Sequence, residues 1–230
     1  MELAVLTPSR GRPEKLYRMI KSAAKRSSKA TFYVYVDEDD DRIPTYQKID
    51  NITLIIGPRV SISKSWNVLA DKAYKDGKDV FIMGNDDVIY QTDNWDSILI
   101  EHIKNYPHNY YCMWFKDGIK NERHCTFPIV SKYWFELLDY KFTPGIFNHQ
   151  FNDTWLFDIA KRAGVCHYIQ EVYTPHIHPS YYPQERDATY DNLVDNSFLQ
   201  KDRIIFNETE QLRIELAERL LVKIRESSNI

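Results

Sequence analysis

Apolar positions in the first half of the chain come in short runs separated by stretches of helical period. Leu3 to Thr7 is a short apolar run. Thr31 to Val36 is β-branched and aromatic, and Thr53 to Ile56 is stopped by Gly57-Pro58. Asp79 to Met83 is the fourth such run. These compositions predict strands. Between them, Gly11-Arg12-Pro13 breaks the chain and Pro13 suits the first turn of a helix reaching about Lys25. Ser61 to Tyr74 places Ile62, Trp66, Leu69, Ala70 and Ala73 on one side of a second helix. Strand, helix, strand, helix in this order predicts an α/β fold with parallel pairing and right-handed crossovers.

The second half is less regular. Tyr110 to Phe115 and His124 to Val130 read as strands of a mixed extension, and His167 to Val172 as one more. Asp153 to Ala163 predicts an amphipathic helix closed by Gly164. Thr174 to Lys201 is polar, aromatic and Pro-containing, the pattern of a loop or lid. Glu208 to Glu226 predicts a helix with Leu212, Leu216, Leu220 and Ile224 at a spacing of four, opened by a capping box of Asn207 and Glu210. The expected organisation is one domain over residues 1–180, with residues 181–230 forming a lid and an amphipathic helix packed on it.

Composition changes this picture little. The chain has 230 residues and is 43% hydrophobic, enough for one full core. Its 16 Tyr, 11 Phe and 5 Trp suit a broad groove, because their rings stack and Tyr and Trp keep a polar handle. The net charge of −3 does not advertise nucleic-acid binding. Lys15, Arg18, Lys21, Lys25, Arg26 and Lys29 form a basic cluster on the first helix, read as a solvated face. Three scattered Cys without a CxxC pair argue against a zinc knuckle or disulfide framework and fit a reducing cytosol. No basic region precedes the N-terminal apolar run, and no apolar stretch approaches the roughly 20 residues that span a bilayer. The expectation is a soluble, cytoplasmic protein.

The chemistry begins where Phe81-Ile82-Met83 runs into Gly84-Asn85-Asp86-Asp87. A buried strand that delivers carboxylates at its C-terminal end can hold a hard cation, and the cation can hold phosphates. On a continued strand Asn85 and Asp87 would share one face and Asp86 would point away. The competing reading is a polar turn. Ligands of such sheets bind beyond the carboxyl ends of the strands. Thr7-Pro8-Ser9-Arg10, Asp37 to Asp41 and Asn85-Asp86-Asp87 all fall at that edge. No Ser-His-Asp signature, P-loop or GxGxxG is present.

With these motifs the chain resembles a glycosyltransferase of the GT-A fold, in the style of the inverting family 2, over residues 1–180. The implied fold is a mixed, mainly parallel central sheet flanked by helices. Asn85-Asp86-Asp87 stands in the place of the family's DxD motif with Asn at its first position. Asp87 is then the surest metal ligand, Asn85 a second through its carbonyl, and Asp86 a donor-sugar contact. The resemblance places Thr7 and Pro8 beside the base, Arg10 on a phosphate, Asp37 and Asp39 on the uracil or ribose edge, and Asn67 facing the nucleotide.

It also implies a late His as metal ligand, His178 in preference to His176. Asp153 is implied as the base that takes the acceptor's proton, a step that a weakly acidic hydroxyl needs. The plainer reading of Asp153 is a first-turn carboxylate complementing the helix dipole. Tyr181 to Tyr190 is the lid, whose Arg186 or a Tyr hydroxyl would stabilise the departing diphosphate.

The implied activity is metal-dependent transfer, with Mn²⁺ or Mg²⁺, from a nucleotide sugar, UDP-linked by the same resemblance, to an acceptor hydroxyl with inversion. Acceptors of such enzymes include polysaccharide, protein, lipid-linked sugar and, for viral proteins acting in a host cytoplasm, hydroxymethylated DNA bases. Two rivals are a nucleotidyltransferase, for which a Gly-rich first loop with Lys is missing, and a non-catalytic nucleotide-sugar or carbohydrate-binding module.

Overall fold

A computed structural model describes residues 1–27, 29–193 and 196–228. Seven strands form one sheet: β1 (Leu3–Pro8), β2 (Ala30–Asp37), β3 (Ile52–Gly57), β4 (Val80–Met83), β5 (Cys112–Lys116), β6 (Ile129–Ser131) and β7 (Cys166–Tyr173). Their order is β3-β2-β1-β4-β6-β5-β7. The half containing β1 to β4 is parallel. β6 runs antiparallel to both β4 and β5, and β7 is parallel to β5. The central strands β1 and β4 are apolar but for Thr7 and almost wholly buried, because the sheet is covered on both faces.

Helices α1 (Pro13–Ala24) and α2 (Ile43–Tyr46) follow β1 and β2, and α3 (Ile62–Lys75) and α4 (Trp95–Ile103) follow β3 and β4. Pro13 opens α1, and Ser61 accepts the Lys64 N–H at the start of α3. α5 (Lys132–Leu137) and α6 (Asn152–Ala163) come later, and Gly164 closes α6 with a left-handed φ of 71°. The chain ends in α7 (Ala188–Leu193), α8 (Asn196–Glu208) and α9 (Glu210–Ser228). One core layer joins α3, α5, α6 and α9 on one face of the sheet, with Trp66, Leu69, Trp134, Phe135, Leu156 and Leu220. The other holds Leu16, Met19, Trp95 and Leu99 of α1 and α4.

Several sequence expectations are corrected. α4 was absent from them because its apolar residues Ile98, Leu99 and Ile100 are consecutive and mark no helical period. α5 was absent because Ser131 ends β6 and, as the next helix's cap, accepts the Trp134 N–H, leaving no loop signal between the two. The strand expected over His124 to Val130 shrinks to Ile129–Ser131. The presumed loop from Thr174 to Lys201 contains α7 and the first part of α8. Asn207 lies inside α8, so it caps nothing. Among the described residues, no helix is long and apolar enough to cross a membrane.

Candidate active site

β4 ends at Met83, and Gly84 to Asp87 form a turn rather than a continued strand. Gly84 is required there: a Cβ would meet Thr7 Oγ1 at 2.4 Å and Leu6 O at 3.0 Å. The turn sends Asn85, Asp86 and Asp87 to different partners. Alternation along a strand therefore does not apply. Asn85 Oδ1 accepts the Asp86 N–H, and the residue lines a crevice of about 10 Å³ with Met83, Val88 and Tyr90. Asp86 is buried and accepts from Ser9 Oγ at 2.7 Å, with Arg12 Nη1 at 3.4 Å.

Asp87 faces the chain that leaves β7. There the backbone pairs antiparallel with the residues after the turn: Ile89 N–H to Pro175 O at 3.1 Å and Ile177 N–H to Asp87 O at 2.8 Å. A bridge joins Val88 and His176. His176 Nε2 thus sits 3.2 Å from Asp87 Oδ1. Both atoms are buried and neither has a hydrogen-bond partner. One carboxylate oxygen and one imidazole nitrogen that face each other without a hydrogen-bond partner are atoms of the kind that divalent cations take as ligands. The structure sets His176, rather than the expected His178, against Asp87. His178 packs its ring on His176 at 5.1 Å and accepts the Ser180 N–H at Nδ1. No group of three or more His, Cys, Asp or Glu that could hold a metal occurs among the described residues. The pair fits a cation that takes its remaining ligands from phosphate and water.

His176, His178 and Asp153 line one cavity of about 320 Å³. Its volume is at the low end for small-molecule sites. Gln150, Phe151 and Thr154 flank Asp153, while Asp117, Lys120, His124 and Thr126 come from the segment between β5 and β6. Tyr181 and Leu199 bring the C-terminal elements into the same lining. Phe151 just before α6 has a left-handed φ of 66°, a strained conformation for a bulky residue. Its ring packs on Phe206 of α8 at 5.2 Å.

No protein-family model matches the chain, and no curated protein matches it in sequence. Solved structures do match it in three dimensions. The mannosyltransferase PcManGT from Pyrobaculum calidifontis, in complex with GDP-Man and Mn²⁺, superposes with a TM-score of 0.62 at 10% identity, over 98% of this chain and 73% of that one. S. aureus TarS superposes with a TM-score of 0.57 at 12% identity, over 80% of this chain. The chain has a GT-A-like glycosyltransferase fold. It spans only 38% of the length of TarS.

Within the GT-A-like frame the remaining residues sort themselves by their partners. Thr7 is buried at the end of β1, its Oγ1 without a partner, and Pro8 follows it. Arg10 pairs with Asp37 at 2.8 Å and with both oxygens of Asp39. These three residues lie together, as the sequence expected, and neutralise one another. The Arg10 guanidinium is held above its ordinary value by Asp39 first, against some desolvation, and then by Asp37.

Asn67 is turned elsewhere. Its Oδ1 accepts the N–H groups of Phe142 and Thr143 at 2.9 and 2.8 Å, and its Nδ2 donates to Thr143 O. It brackets a loop and does not line the cavity. Arg186 is exposed and pairs with Asp191. Lys15 and Arg18 are not a solvated face: Lys15 lies 2.6 Å from Asp187, and Arg18 grips both oxygens of Glu185 at 2.9 Å.

The burial of Asp86 and Asp87 side by side has an electrostatic consequence. Burial first, and the adjacent Asp87 second, push the Asp86 carboxyl up to about 6. Burial also penalises the Asp87 charge, yet His176, Arg12 and His178 outweigh it and Asp87 is held below its ordinary value. Asp87, the residue facing His176, is therefore the stronger acid of the pair. Burial, with the neighbouring His176 next, lowers His178 from its ordinary value.

Sequence reasoning missed three residues of this site. Asp40 accepts the Gly11 N–H at 2.7 Å and ties the first loop to the second. His124 lies 2.8 Å from Asp153 through Nε2 and Oδ2. Asp202 of α8, fully buried, accepts the backbone N–H groups of Asn148, His149 and Gln150, all at 2.8 Å, and so fixes the loop that delivers Asp153. Asp202 falls between the expected loop, which ends at Lys201, and the helix expected from Glu208, so no local pattern marked that last role.

Proposed function

We propose that the chain is a divalent-metal-dependent glycosyltransferase that moves a sugar from a nucleoside diphosphate sugar to an acceptor hydroxyl, with inversion. The carrying observation is that His176, which meets Asp87 at 3.2 Å, and Asp153 line one cavity at the carboxyl edge of a GT-A-like sheet. PcManGT, a structural neighbour, binds GDP-Man and Mn²⁺.

Asp87 and His176 are the metal ligands in this reading, with His178 and Asn85 as the other ligands the resemblance implies. The metal would neutralise the charge that develops on the departing diphosphate. Thr7, Pro8, Asp37, Asp39 and Asp86 border the nucleotide end, Arg10 and Arg186 the phosphates. Asp153 takes the acceptor hydroxyl proton as that oxygen forms its bond to the anomeric carbon. The bond from that carbon to the phosphate oxygen breaks with its electron pair on the nucleoside diphosphate. Because one oxygen attacks as the other leaves from the opposite face, the product is inverted. The acceptor is a glycan, protein, lipid-linked sugar or modified DNA base.

Calorimetry with UDP and with GDP, each with and without Mn²⁺, tests the donor end. Tight binding of one nucleotide, strengthened at least tenfold by Mn²⁺ and lost in Asp87→Ala, is expected. UDP is the base implied by the resemblance and GDP the one PcManGT binds. Metal-independent binding of either nucleotide would sink the metal assignment. Asp153→Asn should lower donor turnover by about 10²–10⁴-fold with nucleotide affinity unchanged.

A further inference from the structure

We infer that His124 is a positioning residue for Asp153, holding its carboxylate so that one oxygen lone pair is left free for the acceptor proton. This rests on reading Asp153 as the base. A carboxylate offers about four lone-pair directions. Asp153 Oδ1 accepts the Thr154 N–H at 2.7 Å and the Thr154 hydroxyl at 3.2 Å. Oδ2 meets His124 Nε2 at 2.8 Å. The direction that remains is on Oδ2, the atom His124 holds. His124, Asp153 and Thr154 all line the cavity, so an acceptor hydroxyl bound in that cavity would be within reach of this oxygen.

The imidazole is itself held from several sides. Its ring packs edge-on against Phe157, one turn along α6 from Asp153, at 5.4 Å and 86°. The next residue, Cys125, is fully buried beside Cys112. Thr126 donates its hydroxyl to Asp117 Oδ2 at 2.8 Å, and Asp117 Oδ1 collects the N–H groups of Ile119, Lys120 and Asn121. The segment that carries His124 is therefore pinned at Asp117. An exposed ion pair would contribute little. This pair is only 23% and 28% exposed and faces a cavity. The contact with Asp153 Oδ2 calls for a proton on His124 Nε2, because an imidazole protonated only at Nδ1 would oppose lone pair to lone pair.

The test has a spectroscopic and a kinetic arm, both on the full chain. Long-range ¹H–¹⁵N spectra at neutral pH read the tautomer of each imidazole, with His124→Gln assigning the signal. Nε2–H at His124 is expected, and Nδ1–H overturns the inference whether or not the chain turns over any donor. The kinetic arm follows Mn²⁺-dependent nucleotide-sugar hydrolysis, with water standing in for the acceptor. His124→Leu should lower kcat by about 10- to 100-fold with the donor KM unchanged. His124→Gln, which keeps a donor at similar reach, should recover most of that loss.

Equal losses in the two variants, or a His124→Leu protein as fast as wild type, overturn the inference. Failure of the underlying reading looks different: Asp153→Asn then hydrolyses donor at the wild-type rate, or the chain binds no nucleotide with Mn²⁺.

Discussion

At the scale of single residues, the site is organised by which side chains are left without a partner. Arg10, Asp37 and Asp39 were recognisable as polar residues at the sheet edge, but they answer one another's charge. Asp87 Oδ1 and His176 Nε2 face each other at 3.2 Å with no hydrogen-bond partner, and the two residues are separated by nearly ninety positions. The adjacent Asp86 shows how burial divides the work. A carboxyl held at about 6 in the folded state contributes most to stability below its unfolded value and loses that contribution as the pH rises through about 6. Asp86→Asn keeps an acceptor for Ser9 and cannot ionise. The stability of the natural chain relative to Asp86→Asn should therefore fall by on the order of 2 kcal/mol between pH 4 and pH 7. Urea unfolding at several pH values reads this directly, and parallel curves for the two proteins would refute it.

At the scale of elements, the C-terminal segment is more than a cover. Glu185 and Asp187 pin the 183–187 stretch to α1 through Arg12, Lys15 and Arg18. Asp202 of α8 gathers the backbone of residues 148–150 just before α6, and Phe206 packs on the strained Phe151. Asp202→Asn replaces one carboxylate oxygen by an amide that repels the N–H groups it faces. It should cost about 1–3 kcal/mol and lower donor turnover, with hydrogen exchange rising first at residues 148–150. Unchanged protection of that loop would rule out the clamp.

At the scale of the whole molecule, α9 shares its core with α3, α5 and α6. Leu216, Ala217 and Leu220 are buried in the same layer as Trp66 and Leu156. Asp158 of α6 accepts from Arg213 of α9 at 2.8 Å and from Arg162 at 2.9 Å. The C-terminal helix should therefore unfold with the sheet. Leu220→Ala is expected to lower stability by about 2–5 kcal/mol in a single transition. Two separated transitions would mean instead that residues beyond 180 form a unit of their own.

The parallel half of the sheet was legible in the sequence because β1, β2 and β4 are largely buried and read as short apolar runs, and the half-buried edge strand β3 keeps the same β-branched composition. The same burial made α1 and α3 legible, since each shows one apolar stripe to the sheet. α4, with its consecutive apolar residues, and α5, which starts on the last residue of β6, have no such local mark. Among the site residues, Asp87 and Asp153 stood out because each opens or closes a recognisable element. The sequence alone thus determined the α/β alternation and the edge at which chemistry is possible, because hydrophobic period and strand ends are local properties. Only the tertiary structure decided that His176 rather than His178 meets Asp87, that Asn67 and Arg10 are already engaged, and that His124 and Asp202 stand behind Asp153. Those choices depend on contacts between distant elements, and the turn after Met83, which cancels strand alternation, is set by the close approach of Gly84 to Thr7.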